Sequence, residues 1–258
     1  VQEDQHSVGL CWSSCTNEVD EFIGNVEPST RSVSTALNAN LASLFTGGAP
    51  TLTSAEIKEV NDAYAKMTSI NCYRNIDEAV RNKTSYAGTI FLDDTYASAY
   101  FRKGSLAFPP YGILASSMEH EFIHMYQRDV QGKKVDTDKE KRDTGMMEFE
   151  LAFYQGIIRY IHAGYSWTFK GEDGDPSYQS LWTSGLTDPS LIPQYEREFQ
   201  TYVASICANG KPTSIDINEF VKWSNIFGEY SRGYSGKGYK FGNYDYGTSC
   251  INSLLKLY

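Results

Sequence analysis

Two of the four histidines in this 258-residue chain stand four positions apart, in the segment Met118-Glu119-His120-Glu121-Phe122-Ile123-His124. The pattern is HExxH. On a helix, residues i and i+4 project from one face, so His120 and His124 can both reach one zinc ion. Glu121, one position along, can approach a water activated by that ion, take its proton and deliver it to a leaving amine. Zinc lowers the pKa of such a water towards neutrality, polarises the scissile carbonyl and stabilises the oxyanion. The chemistry within reach is hydrolysis of an amide, in a peptide, a protein or a cell-wall peptide cross-link.

A zinc site needs at least three protein groups. The longer zincin pattern would place a glycine and a histidine where this chain has Gln127 and Val130. Glu148 and Glu150 follow His124 by 24 and 26 residues, on the next long helical segment. The intervening loop is long enough for that helix to fold back as an antiparallel neighbour. Residues i and i+2 diverge on a helix, so only one of the two glutamates can face the metal. Glu148 shares a face with Leu151, Ala152 and Gln155, and Glu150 with Phe153, Tyr154 and Ile157. Periodicity leaves both open.

His120 through His124, followed by a glutamate on a downstream helix, resembles the gluzincin branch of zincin metallopeptidases over about 40 residues. That branch carries its acidic ligand in E-x-x-A-D or E-x-x-A-N, and Glu148-Phe149-Glu150-Leu151-Ala152 is similar to it with Glu148 in the ligand place. The resemblance implies His120, His124 and Glu148 as zinc ligands and Glu121 as general base. It also implies an α+β fold, a mostly helical zincin-like core with a small sheet beside the active-site helix. One sheet edge would bind peptide, and the segment Tyr86–Leu92 is the candidate edge. Leu151 and Ala152 depart from the motif, so no acid or amide stands there to orient a histidine. That partner is expected elsewhere, at Asp129, Asp93, Asp94 or a backbone carbonyl.

The elements that must position these groups can be read from periodicity and punctuation. Leu37, Leu41 and Leu44 mark a helix over about 35–45, ended by Gly47-Gly48-Ala49-Pro50. Thr53 or Ser54 can cap a second helix that buries Ile57, Val60 and Tyr64 and carries Glu56 in its first turn. Residues 76–80 read as a short helix, Tyr86–Leu92 as a strand, and Tyr96–Phe101 as a short extended or helical piece. After Pro109-Pro110, the spacing of Ile113, Leu114, Met118, Phe122, Ile123 and Tyr126 predicts a helix to about Val130. A charged loop over 131–144 precedes a long helix near 145–162, and helices near 194–207 and 218–228 complete the set. Residues 1–35 are expected to form a flexible arm, and 36–258 a catalytic domain. Its core would be 36–165, and its helical and Tyr/Gly-rich C-terminal part 166–258.

Composition narrows the partners. With 23 Lys+Arg against 32 Asp+Glu the net charge is −9, which argues against nucleic acid. No run approaches the length of a transmembrane segment. The five cysteines fit one or two disulfides in an exported protein. Residues 1–10 lack the features of a signal peptide, and the absence of Met at position 1 suggests processing. A secreted, cell-surface or periplasmic location is therefore expected. The 19 tyrosines, dense between Tyr230 and Tyr246, could line a substrate wall. The leading expectation is a zinc metallopeptidase. The alternatives are a catalytically inactive zincin-like module engaging glycan or protein, and a latent protease whose residues 1–35 cover the cleft.

Overall fold

The computed structural model describes residues 36–47, 51–96, 98–133, 141–162, 188–207, 212–213, 215–230 and 252–257. The expected arm over 1–35 and the Tyr-rich stretch over 231–246 lie outside these residues. Among the described residues the fold is mostly helical with one three-stranded sheet. The chain divides into two compact units between Gly132 and Lys133. Among the described residues, no helix is long and apolar enough to cross a membrane.

The first unit opens with α1 (Ala39–Leu44), α2 (Ser54–Ser69) and α3 (Asn71–Lys83). A capping box starts α2: Glu56 N–H donates to Thr53 Oγ1 at 3.3 Å, and Thr53 N–H donates to Glu56 Oε2 at 2.6 Å. Ile57, Val60, Ala63, Tyr64 and Met67 form its buried stripe at helical spacing. Helix α3 is longer than the short helix expected at 76–80, because Cys72 and Tyr73 extend the buried face of Ile76 and Val80 towards its N-terminus. The same face buries Asp77, which accepts hydrogen bonds from Tyr64 Oη and Arg81 Nε, both at 2.9 Å. Burial holds the Asp77 carboxyl above the usual carboxylate range despite these two donors.

The sheet has the order β1-β3-β2, with β1 (Ile90–Leu92) parallel and β2 (Tyr100–Arg102) antiparallel to β3 (Ser105–Phe108). The expected strand Tyr86–Leu92 contracts to β1, and Tyr86 instead makes an isolated bridge to Phe45. Strand β3 lies where no element was expected, since four residues are too few to show a period. Lys103 and Gly104, with φ of 51° and 78°, form the two-residue turn that folds β2 onto β3. A hairpin of this hand requires positive φ at both central residues, which Gly adopts without strain.

Helix α4 (Ala115–Met125) carries HExxH and packs against α2, α3 and β2. It does not run on unchanged to Val130. Residues Tyr126–Val130 form a π-helical turn, closed by Gln131 N–H donating to the Tyr126 carbonyl at 3.1 Å.

The second unit holds α5 (Lys141–His162), α6 (Ile192–Ile206) and α7 (Ile217–Tyr230), with α5 packed on both of the others. Its centre is aromatic. Phe149 and Phe153 of α5 meet Phe220 and Phe199 at ring-centroid distances of 5.1 and 5.2 Å, and Phe199 meets Trp223 at 5.3 Å. Such clusters bury large apolar areas and favour tilted or edge-on rings. Helix α5 starts four residues before the expected 145, inside the segment expected to be loop.

Candidate metal centre

Met118, Phe122, Ile123 and Met125 are buried and fix the roll of α4, with the Phe122 ring 6.2 Å from that of Tyr64. This leaves His120 and His124 half-buried on the neighbouring face, where one ring meets the other edge-on at 4.7 Å between centroids. Their Nε2 atoms lie 3.1 Å apart. Two nitrogens bound to one tetrahedral zinc at about 2.0–2.1 Å would be separated by about 3.3 Å, so the spacing suits a shared ion.

The Glu148 carboxylate is the third group. Ligand atoms of His120, His124 and Glu148 all lie within 4.8 Å of one another, and among the described residues this is the group of His, Cys, Asp and Glu that could hold a metal ion. Two imidazole nitrogens and one carboxylate oxygen are a donor set that zinc accepts. The arrangement matches the local gluzincin pattern of HExxH with a downstream helical glutamate. Glu150 has a different environment. Its side chain is fully buried and forms an ion pair with Lys133, itself buried. Divergence of i and i+2 on α5 therefore separates the two glutamates into different surroundings.

Glu121 is buried, with Oε1 3.9 Å from His120 Nε2. A carboxylate beside the two histidines is the type of group that acts as general base towards an activated water.

The groups expected to orient a histidine are occupied otherwise. Asp129 accepts from Tyr86 Oη at 2.5 Å and from Arg128 Nε at 2.9 Å. Burial, then the bond to Asp129, holds the Tyr86 phenol above its usual range. Asp93 accepts from Tyr100 Oη at 2.5 Å and from the Thr95 N–H at 2.8 Å, which together hold its carboxyl below the usual range. Asp94 is exposed. A side chain that does meet the other ring nitrogen of His124 is Gln127, whose Oε1 lies 2.9 Å from His124 Nδ1. Sequence reasoning passed over it. The available signal was its position three residues after His124, on the same side of the helix.

The expected substrate edge, Tyr86–Leu92, contains β1. Strands β1 and β2 are the two edges of the sheet, and β2 is the strand packed against α4. The hairpin turn at Lys103-Gly104 folds Tyr100–Arg102 back to this place. Comparison with protein-family models, with curated proteins and with solved structures finds no match to this chain.

Proposed function

We propose that this protein is a zinc-dependent metallopeptidase that hydrolyses a peptide bond, with Glu121 as general base and His120, His124 and Glu148 holding the metal. The convergence of two imidazole nitrogens and the Glu148 carboxylate within 4.8 Å carries the proposal. When bound, zinc supplies a Lewis acid that acidifies water and polarises the substrate carbonyl. His120 and His124 present neutral Nε2 lone pairs to it, and Glu148 adds a negative charge that offsets part of the ion's own. Glu121 takes the proton of the attacking water on its carboxylate and passes it to the nitrogen of the leaving amine. Its burial keeps bulk water from competing for that proton. The β2 edge offers backbone donors and acceptors to an extended peptide, which would lie alongside α4.

Metal analysis and peptide hydrolysis test the reading together. The protein should bind one equivalent of zinc, lose it in His120→Ala and Glu148→Ala, and cleave unstructured peptides or cell-wall peptide fragments. Glu121→Gln should keep the zinc and lose about 10²–10⁴-fold in turnover. Zinc bound without hydrolysis of any of these substrates would refute the enzyme and favour a zincin-like binding module.

A further inference from the structure

The environment of His124 points to a residue that completes the metal centre from the same helix. A histidine that binds metal through one ring nitrogen usually donates the other N–H to a carboxylate or carbonyl, which fixes its tautomer and the plane of its ring. In this chain Ala152 stands where the gluzincin motif has an acid or an amide, and Asp93 and Asp129 are held by Tyr100 and Tyr86. Gln127 Oε1 lies 2.9 Å from His124 Nδ1, and the Gln127 side chain is fully buried. A carboxamide oxygen is an obligate acceptor, so this contact places the proton on Nδ1 and the lone pair on Nε2. That lone pair is the one 3.1 Å from His120 Nε2.

The backbone carrying Gln127 is fixed from outside the helix. Gln127 belongs to the π-helical turn that succeeds α4. Two residues of that turn anchor it. The Arg128 guanidinium lies over the Phe101 ring of β2 at 4.3 Å, and Asp129 accepts from Tyr86 Oη at 2.5 Å. Arg128 and Asp129 also pair with each other. The extra residue of a π-turn redirects the chain beyond it, so the same turn delivers Gln127 to His124 and Arg128 to the sheet.

We propose that Gln127 is the positioning residue for His124, holding it in the Nδ1–H tautomer with Nε2 aimed at the metal. The proposal rests on the reading of His120, His124 and Glu148 as a zinc site. Two readouts test it in the full chain: long-range ¹H–¹⁵N correlation of the His124 ring in metal-free protein, and zinc affinity by competition with a chromophoric chelator. The wild type should show His124 protonated at Nδ1. Gln127→Leu, apolar and of similar size, should lose that tautomer and weaken zinc binding about 10–100-fold. Gln127→Glu, which keeps an acceptor oxygen at the same reach, should restore both. A Gln127→Leu protein that keeps the Nδ1–H tautomer and binds zinc within about twofold of wild type overturns the proposal. So does Gln127→Glu behaving as Gln127→Leu while remaining folded by circular dichroism. A wild-type chain that takes up no zinc, yet shows a Gln127-dependent tautomer, sinks the metallopeptidase reading and supports the orientation of His124 by Gln127.

Discussion

Glu148 and Glu150 are two residues apart, and their surroundings predict opposite consequences of removing them. The Glu150 side chain is 0% exposed and that of its ion-pair partner Lys133 is 5% exposed. A unit charge pair at about 4 Å in an effective dielectric near 20 attracts by about 4 kcal/mol. Removing one member of such a pair leaves the other charge buried and costs about 3–5 kcal/mol, whereas replacing both by apolar side chains is close to neutral. Lys133→Met and Glu150→Met should therefore each destabilise by about 3–5 kcal/mol. The double variant should come within about 2 kcal/mol of wild type, far short of the sum. At about 2–4 °C per kcal/mol for a chain of this size, each single variant should lower Tm by about 6–20 °C. Urea unfolding is the suitable assay, since urea is uncharged and does not screen the pair as a salt would. Single effects that add in the double variant to within about 0.5 kcal/mol would refute the coupling. Zinc affinity separates the two sites further. Glu148→Gln should fold as wild type and lose more than about 100-fold in zinc affinity, beyond the loss caused by an outer-shell partner. Glu150→Met, where folded, should bind zinc within about threefold of wild type. The reverse pattern would show that Glu150 is the ligand.

Other substitutions test the frame around the site. Phe122→Ala, on the buried face of α4 against Tyr64, should cost about 3–5 kcal/mol in chemical denaturation, and a loss under 1 kcal/mol would contradict that packing. At Gly88 a Cβ would lie 2.3 Å from the backbone oxygen of Gly104, so Gly88→Ala must part the chain at the hairpin and should cost about 1–3 kcal/mol. A neutral Gly88→Ala would mean that the turn is looser than described. Burial pushes the Cys207 thiol up to about 11, so the folded state keeps a proton that the unfolded chain releases from about pH 9 upwards. Stability from this group is then full below pH 9 and lost as pH rises to 11, about 2 kcal/mol relative to Cys207→Ala. Parallel pH profiles of the two proteins would rule this out.

Much of this was legible in local periodicity. The i, i+4 spacing of His120 and His124 places two imidazoles on one helix face whatever surrounds the helix, and Glu121 comes with them by adjacency. Helices α2, α4, α5, α6 and α7 could be read because each buries a stripe at 3.6-residue spacing, and the Thr53–Glu56 capping box marks its own start. Strand β3 was not legible, since four residues show no period and one of its two partners, β1, lies more than ten residues earlier in the chain. The π-turn after Met125 also escaped, because its anchors, Tyr86 and Phe101, lie at least 25 residues earlier in the chain. The sequence by itself determined which residues could meet a metal and which chemistry they could perform. Only the tertiary structure decided which glutamate stands near the imidazoles, which is buried against Lys133, and which acceptor meets His124 Nδ1. Those choices depend on how charges and hydrogen-bonding groups from distant segments are satisfied once water is excluded, and no local pattern encodes that.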